Sequence, residues 1–353
     1  MKNPTLYIDR QKLMHNVRSM LKLANQNQVQ IHFVTKVFCA LRPMVEAMIE
    51  AGATLLADSR LENIVNYGEL GTNHLLVRIP MISEAADVVR IADMSLNSDL
   101  DTLGALSDAA TALGKRHGVV LMVELGDLRE GFMPEELIEA AAQVLNLRGL
   151  DLMGIGANFN CYGGVIPDEP KLTELTGLAK EIESRFNIEL PIVSGGNSGS
   201  VYLMEAGRLP EGINHLRLGE SWILGCETSY HNRVADLYTD VFTLEAEVIE
   251  CRRKPSLPYG LQGPNAFGEY PVYEDRGVIR RAILAIGRQD LPCESLTPRL
   301  SGIEYLGSSS DHMILDVSSS VKEIKVGDTL PFGVDYGSLL AAMTSPYVRK
   351  VIV

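Results

Sequence analysis

Ile31-His-Phe-Val-Thr-Lys36-Val-Phe-Cys-Ala40 is an apolar, β-branched run closed by one lysine, and Pro43-Met-Val-Glu-Ala-Met-Ile-Glu-Ala-Gly52 follows with the apolar spacing of a helix. A lysine ending a buried strand points into a pocket, where desolvation lowers an amine's pKa and frees it for Schiff-base formation. An exposed loop position is the commoner fate of a lysine, but it leaves the buried flank unexplained. Lys36 is therefore the first candidate for chemistry.

The same strand-then-helix texture recurs outward from this unit. Strand-length apolar segments centre on Phe33, Leu55, Leu76, Ser95, Val120 to Val123, Met153, Ile192 and Leu216. Between them lie amphipathic stretches such as Ser83 to Ala92, Pro134 to Leu145, which opens with Pro-Glu-Glu at its positive end, and Leu172 to Phe186. Eight such units in roughly 230 residues predict an α/β fold, a (β/α)8 TIM-type barrel over residues 1–232. The fourth unit, Asp93-Met-Ser-Leu-Asn-Ser-Asp-Leu100, is short and polar and fits least well. After about Tyr230 the texture changes. Val241 to Glu250 alternates, strand-like runs follow at Ala282 to Ile286, His312 to Val317 and Thr329 to Val334, and helical spacing returns only at Tyr336 to Met343. This predicts a mostly-β C-terminal domain over residues 233–353.

Composition narrows the function. With 353 residues, two domains are expected, and 46% hydrophobic residues suit a globular protein. No apolar run is long enough to span a bilayer, and Met1-Lys-Asn-Pro-Thr-Leu-Tyr-Ile-Asp9 lacks a signal-peptide core, so a cytoplasmic location without a membrane partner is expected. Five scattered cysteines (Cys39, Cys161, Cys226, Cys251, Cys293) never form a CxxC pair, which argues against a disulfide framework or a thiolate metal site; no metal is expected. A net charge of -13 disfavours nucleic acid as a partner and suits an enzyme acting on a small molecule.

In such a barrel the reactive groups sit where strands end and loops begin. Lys36 holds that place on the first strand, and Arg129 follows the fifth in Glu124-Leu-Gly-Asp-Leu-Arg-Glu-Gly131. Asn158 to Cys161 close the sixth, Ser194-Gly-Gly-Asn-Ser-Gly-Ser200 ends the seventh, and His215-Leu-Arg-Leu-Gly-Glu220 is the eighth. The Gly/Ser turn precedes a short helical run, Val201 to Ala206, so its amides can cradle an anion. Its composition alone is that of an ordinary turn. Its place after the seventh strand, the usual phosphate site of this fold, favours a phosphate-bearing cofactor within reach of Lys36.

Together these segments resemble the fold-type III pyridoxal phosphate enzymes, and among them the alanine racemase family. Val34-Thr-Lys36 is similar to that family's strand-end lysine, Asn197-Ser198 to its phosphate-binding pair, Leu216-Arg-Leu-Gly219 to its Arg-x-Gly segment, Ser309-Ser-Asp-His-Met to its C-terminal Ser-x-Asp segment, and Asp335-Tyr336 to the segment whose tyrosine touches the phosphate. Glu274-Asp-Arg-Gly277, Gly287-Arg-Gln-Asp290 and Ala341-Ala-Met-Thr-Ser-Pro-Tyr-Val348 resemble its ornithine racemase branch.

The resemblance implies pyridoxal 5'-phosphate as cofactor, held by Lys36, Arg129, Asn158, Ser194, Asn197, Ser198, Arg217, Gly219 and Tyr336. It implies that Lys36 moves the substrate's α-proton on one face while Arg217 faces the pyridine nitrogen and favours proton return over transamination. Asn158 stands where the family often has a histidine. The family's opposite-face tyrosine is replaced in Ile286-Gly-Arg288-Gln-Asp290. Arginine cannot act as that base, since bringing its pKa from above 12 to near neutrality costs about 7 kcal/mol. Cys161, Asp311 and His312 are the candidates instead, the last two from a second subunit, so a homodimer with shared sites is expected. Asp290, Asp311, Glu220 and Glu274 could pair with a basic substrate, and Arg288 with its carboxylate. The expected reaction is racemisation of ornithine or a related basic amino acid. Rival readings are D-threonine aldolase or D-serine dehydratase chemistry, and a cofactor-binding protein without turnover.

Overall fold

The computed structural model describes residues 4–353. The chain divides into two compact units: Arg10–Thr239, and Asp240–Val353 together with the N-terminal segment ending at Asp9.

The chain's first strand, β1 (Thr5–Ile8), lies in the second unit. The first unit is a closed parallel barrel of β2 (Gln30–Val34), β3 (Leu55–Asp58), β4 (Asn73–Leu76), β5 (Met94–Asn97), β6 (His117–Val123), β7 (Leu150–Ala157), β8 (Ile192–Ser194) and β9 (His215–Leu218). Closure is made by β9 on β2, with His32 opposite Arg217 and Phe33 opposite Leu218. All eight segments marked by the sequence are these strands. The polar fourth unit is a strand in which Ser95 Oγ lies 2.9 Å from His117 Nε2 and Asn97 Nδ2 donates to the Ser95 carbonyl at 2.8 Å, while Asn97 Oδ1 is buried with no partner among the described residues.

Alternation on the barrel strands sends Val34, Ala57, Leu75, Met94, Leu96, Val120, Met122 and Ile192 into one buried cluster. The helix read from Pro134 begins instead at Leu137. Pro134 to Glu136 form its approach, where Glu136 Oε2 accepts from the Met133 amide at 2.9 Å.

The second unit is built on an eight-stranded sheet. Its long strand β10 (Phe242–Pro255) pairs antiparallel with β11 (Val278–Leu284) through its second half. A bulge at Val248/Glu250 marks the change of neighbours, since the first half pairs with β1 and, further on, with β15 (Thr329–Gly333). Short β12 (Thr297–Pro298) flanks β15, while β13 (Glu304–Ser308) and β14 (Met313–Asp316) extend the β11 edge. The final strand β16 (Arg349–Ile352) runs parallel to β1. The unit boundaries therefore fall at Asp9/Arg10 and Thr239/Asp240, whereas texture alone set one division after residue 232 and left the chain's start with the barrel. Leu6 and Ile8 are fully buried in this sheet. Among the described residues no helix is long and apolar enough to cross a membrane.

Candidate active site

Lys36 begins a tight turn immediately beyond β2. Thr35 anchors it twice, through its amide to the Ala57 carbonyl at 2.8 Å and through its hydroxyl to Asp58 Oδ2 at 2.6 Å. Asp58 also accepts from the Arg60 amide at 2.9 Å and Asn63 Nδ2 at 3.0 Å, and burial pushes its carboxyl pKa upward. The turn leaves through two consecutive left-handed residues, Cys39 at φ 51° and Ala40 at φ 47°, a conformation that costs non-glycine residues of order 1–3 kcal/mol each. The Ala40 amide donates back to the Thr35 carbonyl at 3.2 Å, which holds the strained turn closed around half-buried Lys36.

Across the mouth, Asn197 and Ser198 tie three loops together. Asn197 Oδ1 accepts from the Gly199 amide at 2.8 Å while its Nδ2 donates to the Phe159 carbonyl at 2.6 Å. Ser198 Oγ accepts the amides of Glu220 and Ser221 at 3.1 and 3.0 Å, so its own proton is left to donate. Gly219 supplies the turn between β9 and these amides, and a side chain there would meet Val34 Cβ at 3.5 Å. Ser221 Oγ is buried and has no hydrogen-bond partner among the described residues. A buried, unpartnered hydroxyl beside a second available hydroxyl fits the phosphate of pyridoxal phosphate, whose oxygens accept only. Ser221 was missed in the sequence because only the fold shows it buried and alone.

Arg217 is 4% exposed on the inner side of β9. Its Nη2 donates to the Ala157 carbonyl at 2.8 Å and its Nη1 to Ser194 Oγ. Burial lowers its pKa to about 10, against an opposing pull from Glu130. Behind Ser194, Oγ lies 2.7 Å from His215 Nδ1, His215 Nε2 lies 2.6 Å from His32 Nδ1, and His32 Nε2 lies 3.2 Å from Asn73 Oδ1. These histidines were not singled out in the sequence either. Their spacing, His215 two residues before Arg217 on one strand, was the available signal.

The loop after β6 is folded by two carboxylates. Glu124 accepts the amides of Gly126, Leu128 and Arg129, and Asp127 accepts those of Cys161, Tyr162 and Gly163 together with Asn158 Nδ2 at 3.2 Å. Asn158 and Cys161 are thereby brought beside Asn197, whose Nδ2 is 3.3 Å from Asn158 Oδ1 and 3.3 Å from Cys161 Sγ. The Arg129 guanidinium pairs with Glu130, which holds its pKa upward, and Cys161 acts electrostatically on both Arg129 and Arg217.

In the second unit, the amides of Arg288 and Gln289 donate to the carbonyls of Ser309 and Ser310 at 2.9 Å each, bringing Arg288, Asp290, Asp311 and His312 into one neighbourhood. Asp311 and His312 are exposed, and Asp290 is held above the usual carboxylate range by burial with Asp311 adding to it. Arg288 pairs with Glu269 at 3.1 Å and lies over the Phe267 ring at 4.4 Å, whereas Glu274 pairs with Arg276. Half-buried Tyr336 opens a helix capped by Asp335, which accepts from the Ser338 amide at 2.7 Å. No group of three His, Cys, Asp or Glu side chains among the described residues is gathered to hold a metal ion.

One parallel barrel thus carries a strand-end amine at Lys36, an anion-receptive turn at Asn197–Ser198 and a buried arginine at Arg217. The chain belongs to the alanine racemase family, for residues 8–224 match the profile of the alanine racemase N-terminal domain. It is 46% identical to an ornithine racemase of Acetoanaerobium sticklandii, over 98% of this chain and 99% of that one. It is 38% identical to a lysine racemase of Thermotoga maritima, over 99% and 98% respectively. In fold it is similar to an alanine racemase of Bartonella henselae solved with covalently bound pyridoxal phosphate, with a TM-score of 0.76 over the whole of both chains at 14% identity.

Proposed function

We propose that this protein is a pyridoxal 5'-phosphate-dependent racemase of ornithine or a related basic amino acid. The observation that carries the reading is the joint placement, on one barrel, of Lys36 after β2, the Asn197–Ser198 turn after β8 and buried Arg217 on β9. Ser198, Ser221 and the backbone beside Asn197 would hold the phosphate, Arg217 would face the ring nitrogen, and Arg129 the ring oxygen. When bound, the cofactor supplies the electron sink that makes the substrate's α-proton removable.

Lys36 takes or returns that proton on one face. On the other face the barrel unit offers Cys161, and we assign it this role; Asp311 and His312 would have to act from a second copy. Asp290 and Asp311 suit the distal ammonium of a basic substrate, since a charge-assisted partner strongly discriminates against substrates lacking the group. A homodimer with sites shared between copies is part of this reading.

The test is chiral analysis of single L- and D-amino acids after incubation in heavy water. Ornithine or lysine is expected to racemise with incorporation of deuterium, and Lys36→Ala to abolish both. Carbon–carbon cleavage or ammonia release would contradict the reading and favour the lyase alternatives. Complete inactivity across the amino-acid panel would favour a cofactor-binding protein without turnover.

A further inference from the structure

The chain of contacts behind Arg217 has a direction that chemistry fixes. Guanidinium donates only, so Ser194 Oγ must accept from Arg217 and turn its own proton elsewhere. The available acceptor is His215 Nδ1 at 2.7 Å. That makes His215 the Nε2–H tautomer, and the 2.6 Å contact to His32 Nδ1 then makes His215 the donor and His32 the acceptor. His32 must in turn carry its proton on Nε2, which points at Asn73 Oδ1 at 3.2 Å. Every acceptor in the series is therefore turned toward Arg217 and every donor away from it. A series aligned in this way polarises its members cooperatively and strengthens Ser194 Oγ as an acceptor.

We propose that Ser194, His215, His32 and Asn73 form a one-directional hydrogen-bond relay whose function is to position Arg217 as a buried cation aimed at the cofactor, with both imidazoles neutral. His215 and His32 are positioning residues, acting through Ser194 and Arg217. The part of this that concerns the cofactor rests on the racemase reading above; the relay itself does not.

The surroundings agree with the neutral rings. His215 is 2% exposed and His32 also 2%, with ring centroids 4.9 Å apart. Burial lowers the His32 pKa to about 4 and drives that of His215 well down, and Arg217 pushes both the same way. Around His32 the hydrogen bond to Asn73 and then the charge of Asp93 oppose this, with His74 acting in the same sense as Arg217. Around Arg217 the charged groups are Glu130, Arg129 and the Cys161 thiol. A protonated ring would set donor against donor at the 2.6 Å contact.

Long-range proton–nitrogen spectra of the cofactor-free protein with labelled histidine test the relay directly. His32→Gln and His215→Gln assign the signals. Both rings are expected as Nε2–H tautomers, unprotonated between about pH 8 and pH 5. An Nδ1–H tautomer at either ring, or protonation by pH 6, would overturn the proposal whatever the enzyme's reaction.

On the holoenzyme, His215→Leu is expected to lower kcat at least about tenfold with KM within about twofold, and to raise the ratio of transamination to racemisation by a similar factor. His215→Gln keeps one acceptor and one donor and is expected to recover part of both changes. An unchanged partition between transamination and racemisation in a folded His215→Leu protein would overturn the positioning role. If that variant does not fold, the wild-type spectra still decide.

Discussion

His32 and His117 are neutral because burial lowers the pKa of each to about 4. Both titrate near 6.5 when unfolded, so the unfolded chain binds more protons in between. Their stabilisation is complete above about pH 6.5 and is lost as pH falls toward 4, by up to ~3 kcal/mol for each ring. Asp58, whose pKa is raised by burial, works with the opposite sign and offsets a part of it. Denaturant midpoints of the barrel are expected to drop between pH 7 and pH 5, and His117→Phe to flatten that slope, because Ser95 Oγ keeps Asn97 Nδ2 at 3.1 Å as a partner. An equal slope in wild type and variant would remove His117 from the explanation. A second expectation at this scale concerns Cys161. Cys161→Ala should slow α-proton exchange from one enantiomer by roughly 100-fold or more and leave exchange from the other much less affected; equal loss for both would contradict its placement on one face. The strand-end and turn positions of Lys36, Asn197, Ser198 and Arg217 were legible in the sequence because each ends a strand or sits in a short local pattern. Ser221 and the histidine relay were not, because their meaning arises from contacts across strands and loops.

Strand packing explains which glycines matter. At Gly154 on β7 an added Cβ would lie 1.8 Å from the Ile192 carbonyl oxygen, on the strand that β7 pairs with. Gly154→Ala is expected to cost about 3 kcal/mol or more by forcing β7 and β8 apart, read as a lowered thermal midpoint. At Gly156 the added atom would meet Ser194 Cβ at 2.9 Å and Arg217 Nη1 at 3.4 Å, so substitution there should displace Ser194 on the paired strand and, with it, the acceptor of Arg217. The eight barrel strands were readable from their recurrence, even the polar β5, since its neighbours set its place. The pairing of β1 with β10 and β16 was not readable: a four-residue strand carries little pattern, and its partners lie in the far half of the sequence. Deleting residues 1–8 is expected to destabilise the second unit selectively, because Leu6 and Ile8 leave its core. Hydrogen exchange that rises in the barrel instead would contradict that.

For the molecule as a whole, the proposed dimer assigns the barrel residues of a site to one copy and Asp311 to the other. Mixing inactive Lys36→Ala with Asp311→Ala subunits should then regain up to about a quarter of wild-type activity, since half of the random dimers are mixed and each holds one complete site. Mixing Lys36→Ala with Cys161→Ala should regain none, because both residues belong to the same copy's site. Restoration in the second mixture, or its absence in the first, would redraw the site. Composition had already pointed to an acidic enzyme rather than a nucleic-acid partner, and the second unit was visible as a change in texture. The expectation of shared sites came from the family resemblance of the Asp311 segment, since no local pattern of residues records a contact between molecules.

The claim on which the rest depends is that the Lys36 amine carries the cofactor. Reducing the protein with borohydride in the presence of pyridoxal phosphate, then digesting it and sequencing the modified peptide by mass spectrometry, tests it most directly. The phosphopyridoxyl group is expected on Lys36 within the Val34-Thr-Lys36-Val-Phe segment. Its appearance on a different lysine, with Lys36 unmodified, would contradict the account.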